Sequence, residues 1–136
     1  MGTEFQISIA GVDESEARPA IDAALDAIAE VEARLSPYQE QSDVARINAA
    51  AGGEPVTIDP RTFEVLEQSR QISERSSGAF DVTFAALSPV WRSLRNTPPT
   101  IPSDEDIEAA RALVGFRQLE LNRDARTASL RRQGMR

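Results

Sequence analysis

Residues 76–87 read SSGAFDVTFAAL, and this stretch places one acidic residue, Asp81, inside a run of apolar side chains. Burying a carboxylate there costs free energy unless hydrogen-bond donors or a positive charge lie beside it. The residues leave two interpretations open. Asp81 accepts backbone N–H bonds at a turn after Gly78, or it accepts a hydrogen bond from a hydroxyl or amine of a ligand.

The residues before this stretch predict a long helix. Asp59 and Pro60 stand in the order of an N-cap followed by proline at the first helical position. Gly78 is predicted to end this helix. Part of its apolar face consists of Phe63, Leu66 and Ile72.

The residues after the stretch predict one or two helical turns in SPVWRSL, residues 88–94, and then a last helix. Ser103 is its predicted N-cap and Gly115 its predicted end. The acidic run 104–106 falls in the first helical turn, where carboxylates complement the helix dipole. We therefore interpret these carboxylates as solvated dipole partners and not as metal ligands.

The N-terminal part of the chain shows two different periodicities. Residues 4–12 alternate apolar and polar side chains, which predicts a half-buried strand. Apolar residues then recur every three or four positions over 17–35, which predicts a long helix. Pro19 fits a helix only in its first turn, so the cap is expected near Asp13 or Ser15.

The middle of the chain is divided by turn residues. Pro37 is expected to end the long helix, and Ser42 to cap a short one that stops at Gly52 and Gly53. Residues 54–58, EPVTI, are predicted to form a strand.

Two apolar segments near the end of the chain, FRQLELN at 116–122 and TASLRRQ at 127–133, predict a hairpin. The predicted fold class is α+β, with long helices packed on a mostly antiparallel sheet.

Composition excludes several classes of chemistry. The 136 residues contain no cysteine and no histidine, and all fifteen basic residues are arginine. Thiolate chemistry, Ser-His triads, Schiff bases and a Walker lysine are therefore excluded for these residues. The net charge of −7 argues against a general nucleic-acid or anionic-membrane surface. No apolar run reaches the length of a membrane span.

Three further candidates each have a structural and a functional interpretation. Tyr38, the only tyrosine, follows a helix-breaking Ser-Pro; it either packs with its hydroxyl in water or stacks on a flat ligand. Trp91 is expected in the core or at an interface. Arg131 and Arg132 are expected to be charged side chains at a strand edge, although an arginine pair can also bind a phosphate.

Four blocks in order resemble the N-terminal part of the ApbE family, the FAD:protein FMN transferases. They are MGTEFQISI at 1–9, RLSPYQEQSDVARINAAAGG at 34–53, SSGAFDVTFAAL at 76–87 and SPVW at 88–91. The resemblance implies a magnesium-dependent enzyme that transfers FMN from FAD to a threonine hydroxyl of a flavoprotein and releases AMP. Known targets of the family are subunits of bacterial respiratory complexes, and some members instead hydrolyse FAD.

The resemblance also implies which residues contact FAD. They are Met1 of MGT, Tyr38 of SPY, and Ala79, Phe80 and Asp81 of GAFD. Met1 and Tyr38 suit a planar ring system, and Ala79 and Phe80 are expected to present main-chain polar groups to FAD.

The sequence departs from the family pattern at its end. The Gly-rich D-L-G-G-x-x-K-G segment of the family, its later histidine and its Thr- and Asp-bearing metal site do not occur in it. We therefore expect residues 1–136 to be the N-terminal part of a single ApbE-like domain, incomplete and truncated at its C-terminus. The magnesium ligands are expected in the missing part, so this chain holds no catalytic residue. Many members of the family carry a lipoprotein export signal, and we do not expect one within residues 1–136.

Three hypotheses remain open at this level. The chain is part of an FMN transferase, a non-catalytic module that binds flavin or a protein, or an interaction fragment without a ligand. In the last case an open sheet edge is expected to drive self-association.

Overall fold

Helices and a small antiparallel sheet alternate along the computed structural model, which describes residues 4–93 and 99–136. This is the α+β class that the sequence predicts. In chain order the elements are α1 (Glu14–Leu35), α2 (Asp43–Ala49), β1 (Val56–Thr57), α3 (Pro60–Arg75), α4 (Ser88–Ser93), α5 (Asp104–Arg111), β2 (Leu119–Asn122) and β3 (Thr127–Leu130), with short 3₁₀ turns at Phe84–Leu87 and Phe116–Gln118.

The sheet has the strand order β1-β3-β2, and both pairings are antiparallel. The predicted hairpin is confirmed, with Leu119 opposite Leu130 and Asn122 opposite Thr127. β1 is confirmed too, but it has only two residues and pairs Val56 with Ala128. The hairpin therefore provides most of the sheet.

The core lies where α2 and α3 cover this sheet. Phe63 and Leu66 of α3 are buried in it, as the helix periodicity predicts. Ile72 was assigned to the same face, and this prediction is wrong because its side chain is 50% exposed. The buried apolar cluster consists of Ile47, Ile58, Phe63, Leu66, Leu119, Ala128, Leu130 and Met135.

The predicted helix caps are largely confirmed. The Asp59 carboxylate accepts a hydrogen bond from the Arg61 backbone N–H at 2.8 Å, and the Ser42 hydroxyl accepts one from Ala45 at 3.0 Å. Ser103 forms a reciprocal capping box with Asp106. The predicted helix ends are less accurate, since α2 and α5 both end several residues before the glycines assigned to them.

Residues 4–12 do not form the predicted strand. They adopt no regular secondary structure, and the three strands described in residues 4–93 and 99–136 pair only with one another. Alternation alone cannot make a strand, because its backbone N–H and C=O groups also need a hydrogen-bonding neighbour.

The long helix α1 begins directly after Asp13, one of the two predicted caps, but the Asp13 side chain makes no capping bond. Pro19 is therefore the sixth helical residue and lies in the second turn, contrary to the expected first turn. A proline there removes one hydrogen bond from the ladder. α1 contacts α2 and has no fully buried residue.

Candidate functional site

The turn that carries Asp81 is shaped by the end of α3. The Ser77 N–H donates to the Glu74 carbonyl at 3.1 Å, and the Gly78 N–H donates to the Ser73 carbonyl at 2.8 Å. These are the two bonds of a Schellman motif. The helix ends at Arg75, so Gly78 lies beyond its end, and the first left-handed residue is Ser77, with φ of 53°.

Gly78 is also left-handed, with φ of 85°, and the buried residue Phe116 lies next to it in space. A Cβ atom at this position would lie 3.7 Å from the Phe116 Cε1 atom, which is ordinary contact. The backbone conformation, and not a lack of space, is therefore what favours glycine here.

The carboxylate of Asp81 has protein partners on both oxygens. Its Oδ1 atom accepts from the Thr83 backbone N–H at 2.8 Å and from the Thr83 hydroxyl at 2.6 Å. Its Oδ2 atom accepts from the Phe116 backbone N–H at 2.8 Å. This arrangement supports the structural interpretation of Asp81. A carboxylate has about four acceptor positions, so contact with a ligand stays a prediction.

The backbone N–H groups of Ala79 and Phe80 both form hydrogen bonds within the turn. Ala79 donates to the Ser76 carbonyl at 3.1 Å, and Phe80 donates to the Ser76 hydroxyl at 3.1 Å. Within the described ranges no hydrogen bond reaches the carbonyl oxygen of either residue. Of the main-chain groups expected to face FAD, only these carbonyls are left for it.

Tyr38 lies in a tightly bonded loop, but its ring is in solvent. The Tyr38 N–H donates to the Ser36 hydroxyl at 3.3 Å, and the Ser42 hydroxyl donates to the Ser36 carbonyl at 2.5 Å. The residue is 86% exposed, so the packing interpretation of Tyr38 is wrong. Met1, the other predicted ring contact, lies outside the described residues.

Asp43, the first residue of α2, links this helix to the start of α3. The sequence pattern did not single it out. Its carboxylate accepts from the Asp59 backbone N–H at 2.9 Å and from Arg46 at 2.5 Å. Burial would raise the pKa of Asp43, but Thr62 and these two donors together lower it below its ordinary value. The Thr62 hydroxyl acts by proximity, since it makes no hydrogen bond of standard geometry.

A small apolar cavity lies beside the Asp81 turn. Val44, at the start of α2, lines it together with Val82 and Thr83, which directly follow the 79–81 triplet. Neither Tyr38 nor the triplet itself lines this cavity. The remaining lining residues are Ile47, Asn48, Leu66, Leu119, Leu130 and Arg136.

The other candidates differ in outcome. Trp91 is 63% exposed, so its expected place in the core is wrong, while a place at an interface stays open. Arg131 pairs with Glu120 at 2.5 Å across the hairpin, and Arg132 donates to the Ala112 carbonyl at 2.6 Å. Both arginines thus have structural partners.

Neither a metal cluster nor a membrane helix is found in the part of the chain that the structure describes. In that part, no three acidic side chains come close enough together to hold a metal ion. Likewise, none of the helices in residues 4–93 and 99–136 combines the length and apolar character needed to cross a membrane.

Comparison with known proteins matches the whole chain to one family. The model described as "ApbE family" matches residues 1–136. The FAD:protein FMN transferases of Vibrio cholerae and Klebsiella pneumoniae are 29% and 31% identical over 126 and 125 residues. Each alignment covers 89% of this chain but only 37% and 35% of the relative. The chain thus spans about a third of the length of these curated relatives.

Solved structures share the fold. The Thermotoga maritima ApbE protein has a TM-score of 0.79 at 24% identity, covering 93% of this chain and 40% of that one. The Pseudomonas stutzeri flavinyl transferase ApbE has a TM-score of 0.71 at 29% identity, covering 95% of this chain and 39% of that one.

Proposed function

The chain belongs to the ApbE family, and we propose that it forms one wall of the FAD site of an FAD:protein FMN transferase. In the proposed reaction, the hydroxyl oxygen of a threonine in an acceptor flavoprotein attacks the FMN phosphorus of FAD. The bond from that phosphorus to the bridging oxygen breaks, AMP leaves with this oxygen, and the hydroxyl proton passes to solvent. The product is a threonine–FMN phosphoester.

The observation that carries this proposal is the set of groups that the Asp81 turn offers to a ligand. The N–H groups of Ala79 and Phe80 are used inside the turn, which leaves their carbonyl oxygens and the Asp81 carboxylate. These oxygens are acceptors, so a ligand group bonded to them must donate hydrogen bonds. FAD has such donors in the adenine amino group, the flavin ring N–H and its hydroxyls. Within the described ranges the backbone N–H groups of Asp81 and Val82 make no hydrogen bond, and they remain as donors in the same turn.

We further propose that these acceptor groups do not bind the pyrophosphate of FAD. Phosphate oxygens are anionic acceptors, and they would be repelled by a carboxylate and two carbonyls at short range. We therefore propose that Ala79, Phe80 and Asp81 bind a ring or sugar portion of FAD. The exposed ring of Tyr38 offers a stacking surface for a planar part of the same ligand, and Met1 is proposed to add a thioether contact.

The proposed transfer reaction also involves magnesium and an acceptor protein. Among residues 4–93 and 99–136, no three acidic side chains come close enough together to hold a metal ion, so the proposal assigns none of them as a magnesium ligand. The acceptor is proposed to be a flavoprotein subunit of a respiratory complex.

A thermal melt of the 136-residue chain, with and without FAD, tests the binding part of this proposal. A ligand that binds only the native state, at about 100 times its Kd, stabilises it by about 2.7 kcal/mol. We expect a cooperative melt whose midpoint rises with FAD and does not rise with inorganic pyrophosphate. A cooperative melt that FAD does not move would contradict FAD binding by this chain.

The transfer part needs a second measurement. FAD is incubated with magnesium, a threonine-bearing acceptor flavoprotein and a longer form of the chain that also carries the later segments of the family, and AMP and protein-bound flavin are quantified. Equal amounts of both products support transfer, whereas AMP with free FMN supports hydrolysis. Binding without AMP release supports the alternative of a non-catalytic flavin-binding module. Light scattering on the 136-residue chain tests the proposed self-association at the sheet edge.

A further inference from the structure

We propose that Thr83 is a positioning residue, whose hydroxyl holds the Ala79–Asp81 turn in its ligand-binding conformation. This role rests on the proposed function, because the turn matters to FAD only if FAD binds there. Nothing in the family resemblance assigns Thr83 a role.

The Thr83 hydroxyl is used as donor and acceptor at the same time. It donates to Asp81 Oδ1 at 2.6 Å and accepts from the Gly115 backbone N–H at 2.8 Å. Thr83 is 2% exposed, so solvent cannot replace either partner. One oxygen atom therefore joins the Asp81 turn to a turn 32 residues further along the chain.

A second hydrogen bond reaches the same distant turn, because Asp81 Oδ2 accepts from the Phe116 N–H at 2.8 Å. The end of the segment at Asp81 and Thr83 is thus held on Gly115 and Phe116, and its start is held by the bonds that Ala79 and Phe80 donate to Ser76. Ala79 and Phe80 lie between these fixed points, and the direction of their carbonyls depends on them.

The competing explanation is that Thr83 only fills space in the wall of the cavity. In that case valine, which has nearly the shape of threonine, would serve as well, and serine would be worse because it lacks the methyl group. If the hydroxyl is what matters, the order is reversed. Thr83→Val and Thr83→Ser therefore separate the two explanations.

The first experiment is hydrogen exchange of backbone amides in the ligand-free chain, for the wild type and both variants. In Thr83→Val we expect the amides of Phe80, Gly115 and Phe116 to exchange at least tenfold faster, while strand amides in the β2–β3 hairpin keep their rates. Thr83→Ser is expected to keep the wild-type pattern. Unchanged exchange at Phe80 in a folded Thr83→Val would overturn the proposal. If Thr83→Val does not fold, Asp81→Asn is measured in its place, because it weakens the hydrogen bonds that Asp81 accepts from Thr83 and Phe116.

The second experiment is calorimetric titration of FAD, with Thr57→Val as the matched control. Thr57 is exposed on β1, so the control makes the same chemical change away from the turn. We expect Thr83→Val to weaken FAD binding at least tenfold at a temperature where it is folded, with Thr83→Ser and Thr57→Val within twofold of wild type. A lower melting temperature with unchanged FAD affinity would show a structural role only. If the wild type binds no FAD, the proposed function fails, and hydrogen exchange still decides whether the hydroxyl holds the turn.

Discussion

The carboxylate of Asp81 accepts a hydrogen bond from the backbone N–H of Phe116, a residue 35 positions further along the chain, at 2.8 Å. Together with the two bonds from Thr83, it explains how an acidic residue is tolerated in an apolar run. Within residues 4–93 and 99–136 the carboxylate is stabilised by three hydrogen-bond donors and forms no ion pair, and the same bonds fix the turn proposed to contact FAD.

Removing these bonds is expected to destabilise the fold. Asp81→Ala leaves the N–H of the buried Phe116 without its acceptor, and we expect a loss of about 2–3 kcal/mol in the free energy of unfolding. Urea denaturation of the chain measures it, with Asp124→Ala in the exposed hairpin loop as the control. An Asp81→Ala variant as stable as the wild type would show that the three bonds contribute no net stability.

Tyr38 is expected to affect binding without affecting stability. Its ring is 86% exposed, so Tyr38→Ala should change the free energy of unfolding by less than about 0.5 kcal/mol. Loss of a stacked ring should weaken FAD binding about tenfold. Tyr38→Phe keeps the ring and is the matched control, with affinity near that of the wild type. Equal FAD affinity for all three proteins would exclude stacking on Tyr38.

Asp43 gives the fold a defined pH dependence. Its pKa is lowered in the folded state, so the unfolded state binds more protons as the pH falls toward the ordinary value of 3.8. The stability that Asp43 contributes is therefore fully present above about pH 5 and is lost as the pH falls through the folded-state pKa. Asp43→Asn should cost about 2 kcal/mol at pH 7 and less at pH 3.

The measurement is urea denaturation of the wild type and Asp43→Asn at both pH values. Asp22→Asn on the exposed side of α1 removes the same charge without these partners and serves as the control. A difference between wild type and Asp43→Asn that does not shrink at pH 3 would contradict the assignment.

Ser77 offers a stabilising substitution. Its φ of 53° lies in the left-handed region, which disfavours a residue with a Cβ atom. Ser77→Gly should raise the free energy of unfolding by about 0.5–1 kcal/mol, since the relief of strain exceeds the added entropy of the unfolded chain. Ser77→Ala keeps the Cβ atom and should show no gain in the same denaturation experiment.

Most helices could be predicted from the sequence because their signals are local. The side chains of Ser42, Asp59 and Ser103 each bond to a backbone N–H two or three residues away, so the cap and its partner are visible in one short window. The strand predicted at residues 4–12 failed for the opposite reason. Its alternation is local, but its hydrogen-bonding partner would have to come from elsewhere in the fold.

The candidate site likewise contains some residues that a local sequence pattern identifies and others that only distant contacts identify. Asp81 could be singled out from the sequence because a carboxylate in an apolar run is costly, and the Asp-x-Thr spacing is itself typical of a local turn. Neither pattern identifies Gly115 or Phe116 as partners. Asp43 was missed because an acidic residue in a first helical turn needs no further explanation.

By itself, the sequence determined the fold class, the helix starts, the hairpin and the resemblance to a flavin transferase family. Each of these depends on residues within a few positions of one another, or on the order of short motifs. Only the tertiary structure decided that Phe116 donates to Asp81, that Gly115 donates to Thr83, and that the ring of Tyr38 is left in solvent. The physical reason is that these two hydrogen bonds join residues more than thirty positions apart, and packing alone brings those residues together.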